Sequence, residues 1–155
     1  MEITKSLSFS AINMYSRCGL QFYFRYIEGI IAPPRPSIIQ GKAFHQAYEE
    51  NYKQKKESFQ DMKVSDLIDI YVEDVEKRFQ EEVLLDEEEK TVGLEKIKDK
   101  VKGEGVFMVE AYHREIASKL QPVEVELRFD IPVELPDGGI VPAMGYIDLI
   151  SDKGE

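Results

Sequence analysis

Between Val123 and Leu135 the chain alternates strictly. Val123, Val125, Leu127, Phe129, Ile131, Val133 and Leu135 fall on one phase; Glu124, Glu126, Arg128, Asp130, Pro132 and Glu134 fall on the other. A period of two is the signature of a strand with one apolar face, and a helix cannot use it. Pro136-Asp137-Gly138-Gly139 follows. Glycine there accepts the positive φ that a tight turn needs, so Ile140–Ile150 should return as the second strand of a hairpin over 122–151. Pro132 marks an edge or a bulge near the far end of the first strand. A hairpin alone is marginal in water, so whatever precedes it must supply a core, and the sheet should continue elsewhere.

What precedes it is helical. Ser8 or Ser10 can cap a first short helix carrying Ala11, Ile12, Met14, Tyr15 and Cys18, with Gly19 interrupting it. The run Gln21–Ile27 is densely aromatic and is read as core. The segment 32–36, with three prolines, is an extended connector. From Ser37 to about Lys56, Phe44, Ala47, Tyr48, Asn51 and Tyr52 recur at three and four. Ser65 is the expected cap of a second long helix, whose stripe is Ile68, Tyr71, Val72, Val75, Phe79 and Val83. A third is expected from Val92 to Leu120, with Leu94, Ile97, Val101, Met108, Tyr112 and Ile116 buried. Gly105 lies on that face, where it allows close packing or a kink. The fold class is therefore α+β: helices over 8–120 in one domain with the hairpin.

The 155 residues carry 20 Lys+Arg against 30 Asp+Glu, a net charge of −10. That excludes a basic nucleic-acid coat and docking to an anionic membrane. The charge is uneven. Residues 1–56 are net +4, residues 57–91 net −9 and residues 92–155 net −5. The run Asp86–Glu89 is read as a solvated loop or helix end. No apolar stretch is long enough to span a membrane, and no signal core is present, so a cytoplasmic location is expected. Cys18 is the sole cysteine and is read as a small buried thiol; alone it can neither form an internal disulfide nor hold a cluster.

Few residues can carry chemistry. Gly41, His45 and Glu49 are spaced by four and share one helix face; a histidine with a carboxylate can bind a divalent cation, and the glycine leaves room beside it. His113 has no such company. Asp148, in Gly145-Tyr146-Ile147-Asp148-Leu149-Ile150, is a charge inside an apolar strand, costly if buried without a cation or donor. Glu124 and Glu126 point to the polar face of the first strand.

Taken in order, these pieces resemble the RecB-like branch of the PD-(D/E)XK nuclease superfamily. Leu7-Ser8-Phe9-Ser10-Ala11-Ile12 with Tyr15, Cys18 and Phe22 is similar to the family's opening; Gly41-x-x-x-His45-x-x-x-Glu49 to its Gly/His helix; Val123–Phe129 to the strand after its helical insertion; and Gly145–Ile150 to its Gly-x-Ile-Asp strand. The resemblance implies His45 and Asp148 as catalytic and metal-ligating residues, Mg2+ or Mn2+ as cofactor, DNA as partner with a helicase or another repair subunit beside it, and phosphodiester hydrolysis in repair, recombination or defence. The family's next strand carries an acid and a lysine as Asp/Glu-x-Lys. No such triplet follows Asp148, where Asp152 and Lys153 are adjacent. The chain is therefore expected to be the truncated N-terminal part of such a nuclease, with an incomplete core, and inactive by itself. Gly19 stands where the family has proline. An iron–sulfur cluster, which some members hold, would require cysteines beyond Glu155. The alternative reading is a non-catalytic helical protein-interaction module.

Overall fold

The computed structural model describes residues 7–152. Helices dominate, and a three-stranded sheet completes the α+β architecture. The described residues divide into two compact units: 32–125 with 149–152, and 7–31 with 126–148.

The first unit is helical. Helix α3 (Pro36–Ser58) starts with proline at its first position, where a missing N–H costs nothing, and stops at Phe59, whose φ of 61° is left-handed. Helix α4 (Val64–Arg78) carries Asp66 in its first turn and Lys77 and Arg78 in its last, matching the helix dipole. Its cap is Lys63, so Ser65 lies inside the helix and instead donates to Asp66. The acidic run is a helix start: Asp86 and Glu89 each accept the other's backbone N–H at 2.9 Å, a capping box that opens α5 (Glu87–Val92). Gly93, at φ 93°, ends it, and α6 (Leu94–Glu115) begins there. The single helix expected over 92–120 is thus divided, and a 3-10 turn (Ala117–Lys119) follows Ile116.

The core of this unit lies among α3, α4 and α6. Ala43, Ala47, Tyr48 and Tyr52 come from α3; Leu67, Tyr71 and Val75 from α4; Ile97, Val101 and Val109 from α6. The expected stripes on α3 and α4 hold. On α6 the buried line steps by four through Ile97, Val101, Gly105 and Val109, while Leu94, Met108 and Ile116 are exposed. The reason is contact: a Cβ on Gly105 would lie 1.9 Å from Tyr71 Cζ, so the tyrosine ring fills the place of the missing side chain. Three polar tips are aimed at backbone carbonyls. Tyr71 Oη donates to Val101 O at 2.7 Å, Tyr48 Oη to Val109 O at 2.6 Å, and Lys55 Nζ to Ala117 O at 2.7 Å. Lys55 is buried and pairs with Asp61 at 2.8 Å, so its charge is met on two sides. His113 serves the same framework, 3.0 Å from Met62 O.

The second unit carries the sheet. Ser8 caps α1 (Phe9–Arg17), its hydroxyl accepting from Ala11 N at 3.1 Å. Strand β1 (Leu7–Ser8) pairs in parallel with β3 (Ile140–Ser151), Leu7 opposite Ala143 and Ser8 opposite Met144. The hairpin therefore does not stand alone: the order is β1-β3-β2, with β2 spanning Pro122–Glu134. Its turn is closed by Leu135 N to Gly139 O at 2.7 Å, with Gly138 at φ 82°. Both long strands run on into the helical unit, where Val125 and Leu149 pack against its core. The expected turn after Ser151 begins at Asp152 and otherwise lies outside the described residues.

The aromatic run does not form a core. Helix α2 (Gly19–Phe22) continues into a π-helical turn (Tyr23–Ile27). Phe22 meets Tyr15 edge-to-face and Tyr26 at a tilt, but Tyr15, Tyr23 and Phe24 are exposed. Aromatic residues at almost every position cannot share one face of a helix, so some must point outward.

Candidate metal centre

Helix α3 presents Gly41, His45 and Glu49 along one face. His45 Nδ1 lies 3.9 Å from Glu49 Oε2, with the imidazole 47% exposed and the carboxylate 19%. Two donors at that separation can reach one ion placed between them at ordinary ligand distances of about 2.0–2.2 Å. A mixed imidazole and carboxylate set suits Mn2+ readily and Mg2+ through the carboxylate. The other Glu49 oxygen accepts from Lys53 at 2.5 Å, and that bond holds the ammonium above its ordinary pKa. Lys53 thus keeps Glu49 oriented while leaving Oε2 toward the imidazole. A Cβ on Gly41 would meet nothing within 4 Å, so the space one turn before His45 is open. Glycine is not required there by packing within the chain.

Asp148 sits on β3, two residues beyond Tyr146 on the same strand face, and is exposed. The desolvation argument made for it from the sequence does not apply; its place on the strand is what marks it. His45 belongs to the helical unit and Asp148 to the sheet-bearing one.

The acidic residues of β2 do not simply face water. Glu124 pairs with Lys56 at 2.6 Å, which commits it to a surface ion pair. Glu126 is half-buried and has φ 52°. Among the described residues only Phe59 is another non-glycine at positive φ, and Phe59 closes a helix. A left-handed residue within a strand costs about 1–2 kcal/mol and persists only where its surroundings enforce it. The alternation runs through Glu126 unbroken, so no signal in the sequence distinguishes it from Glu124.

Cys18 is exposed, between α1 and α2, so it is not the buried thiol expected. It offers one thiolate where a cluster takes four ligands.

The profile of the PD-(D/E)XK nuclease superfamily matches residues 6–155. The chain belongs to the PD-(D/E)XK nuclease superfamily. No curated protein matches it. The superfamily match spans both units and all the motifs, from the Ser8 cap through the His45 helix to the Asp148 strand. Enzymes of this superfamily act on DNA and use Mg2+ or Mn2+, and the His45–Glu49 pair has the donor chemistry such an ion takes. Among the described residues no helix is long and apolar enough to cross a membrane.

Proposed function

We propose that the chain supplies metal ligands to a RecB-like DNA nuclease of repair, recombination or defence, working in the cytoplasm beside a helicase or other repair subunit. His45 and Asp148 are the proposed ligands of Mg2+ or Mn2+, with Glu49 as the carboxylate beside the imidazole. When bound, the ion lowers the pKa of a coordinated water and stabilises charge on the phosphorus oxygens. His45 offers a ring-nitrogen lone pair, and Glu49 a carboxylate oxygen beside it. Asp148 offers carboxylate oxygens from a rigid strand. The observation that carries the reading is the superfamily match over residues 6–155; the choice of His45 and Asp148 is supported by the resemblance of their segments to the family's helix and strand motifs.

No Asp/Glu-x-Lys follows Asp148, so the 155 residues lack the lysine that would position or deprotonate the attacking water. We therefore expect this chain to bind Mn2+ weakly and to leave DNA uncut. Mn2+ titration followed by electron paramagnetic resonance tests this, with wild type set against His45→Ala and Asp148→Ala. Each substitution should weaken binding at least ten-fold, as loss of a ligand does. Binding unchanged in both variants would remove the metal assignment and favour the helical interaction module. Cleavage abolished by Asp148→Ala would refute the requirement for the missing motif.

A further inference from the structure

Helix α6 carries two residues for which its own unit has no use. Its buried line runs through Ile97, Val101, Gly105 and Val109. Gly103 and Phe107 lie one turn apart on the opposite side of the helix. Phe107 is 71% exposed. Gly103 is exposed as well, and a Cβ on it would meet nothing within 4 Å. Glycine inside a solvated helix weakens that helix, and an aromatic ring left in water gains nothing from folding. Neither residue belongs to the proposed metal centre. One kind of neighbour accounts for both, a second helix laid across this face. The missing side chain lets its backbone approach, and the ring is then buried.

The face is complementary to itself. Two copies of α6 set antiparallel, with the two-fold axis level with Gly105, bring Phe107 of one level with Gly103 of the other. Phe107 of the second copy then enters the hole between Lys100, Gly103, Glu104 and Phe107. Those four residues have the i, i+3, i+4, i+7 spacing that receives a knob from a facing helix, and Gly103 leaves the hole deep. One turn further out, Glu110 of the second copy falls beside Lys96 and Lys100. All three are exposed. Lys100 reaches only Glu104, at 3.8 Å, and among the described residues Lys96 and Glu110 have no ion pair. Asp99, the acid between the lysines, already pairs with Lys102 at 3.2 Å. The symmetry makes the ring contact and the charge contact twice each.

We propose that the chain forms a two-fold dimer through α6, with Phe107 of each copy packed on Gly103 of the other and Glu110 facing Lys96 and Lys100. The proposal goes beyond the nuclease reading and does not depend on it. A foreign partner would bring its own knob and its own charges, and the register within α6 would then have no reason to match itself. Here one register aligns the ring with the notch and the acid with the two lysines, which is what an isologous contact requires. A single helix crossing buries less than the about 800 Å² per partner of a standard interface, so the dimer is weak, with a Kd of about 10–100 µM.

Sedimentation velocity of the full chain at about 5 to 500 µM, in low salt, tests this. The mass should rise from 17.9 kDa toward twice that value across the range. Phe107→Ala and Gly103→Gln should each weaken association at least ten-fold. Both positions are exposed, and glutamine is a better helix former than glycine, so far-ultraviolet circular dichroism should show the helices intact. Glu110→Lys alone sets three lysines together, and the double change Lys96→Glu with Lys100→Glu sets three acids together. Each should weaken self-association about five-fold or more. Mixed with each other, the two charge variants should associate as tightly as wild type, because opposite charges then meet at both contacts. A chain that stays monomeric at about 500 µM overturns the proposal. A dimer that survives both Phe107→Ala and Gly103→Gln overturns it too, and moves the contact to another exposed face. Charge variants that fail to recover on mixing overturn the antiparallel register.

Discussion

Replacing Gly105 by alanine should test the helical core at its tightest point. The added Cβ would stand 1.9 Å from both Cζ and Oη of Tyr71 and 2.4 Å from Cε1. Carbon atoms in contact prefer about 3.5–4.0 Å, so ring and helix must separate by about 1.5–2 Å. Tyr71 is fully buried, and its hydroxyl is tied to Val101 O at 2.7 Å, so the ring cannot swing aside and keep that bond. Overpacking costs about 1–3 kcal/mol. Loss of the buried hydrogen bond costs about 1–3 kcal/mol more. Better helix propensity returns at most about 1 kcal/mol. The net expectation is destabilisation by about 2–4 kcal/mol, a lowering of the urea midpoint by about 1–2 M for a chain of this size. Gly103→Ala is the control: it is exposed in the same helix, nothing lies within 4 Å of its Cβ, and it should stabilise by about 0.5–1 kcal/mol. Urea unfolding followed by circular dichroism measures both. In a Tyr71→Leu background, which removes the ring tip, Gly105→Ala should be nearly neutral, a coupling of about 2–4 kcal/mol. If Gly105→Ala stabilises like Gly103→Ala, the α4–α6 contact described here is wrong.

Alkali should unfold the helical core early. Burial raises the pKa of Tyr71 to about 12 and those of Tyr48 and Tyr52 further. Each phenol ionises first in the unfolded chain, near 10, so the stability it contributes is complete below pH 10 and is lost as pH rises toward 12. For Tyr71 that loss is about 3 kcal/mol at most. Urea midpoints at pH 9, 10 and 11 should fall progressively, and Tyr71→Phe should make the fall shallower; a flat profile refutes the burial. Breaking the pair of Lys55 with Asp61 by Asp61→Ala strands a buried ammonium and should cost about 3–5 kcal/mol, whereas the exposed pair of Lys56 with Glu124 should yield less than about 1 kcal/mol to Glu124→Ala. Equal effects in thermal melts would show that Lys55 is not buried as described.

The sequence by itself determined the element types and most of the core. Period 3.6 through Tyr48 and Tyr71 and period 2 from Val123 to Leu135 can each be satisfied by one backbone geometry, and a glycine turn joins the strands in one way. Gly41, His45 and Glu49 were legible as one helix face because spacing alone places them there. Tertiary structure decided the rest. Which line of α6 is buried follows from the Tyr71 ring docking at Gly105, a partner that lies 34 positions away in the chain. The third strand comes from Leu7 and Ser8, too few residues to carry a period. The outward aromatics of 20–27 and the exposure of Cys18 depend on which faces find a partner, as does the left-handed backbone of Glu126 inside an unbroken alternation. Local patterns record what a segment prefers by itself; burial and strain belong to pairs of segments, and no single stretch of sequence contains both members.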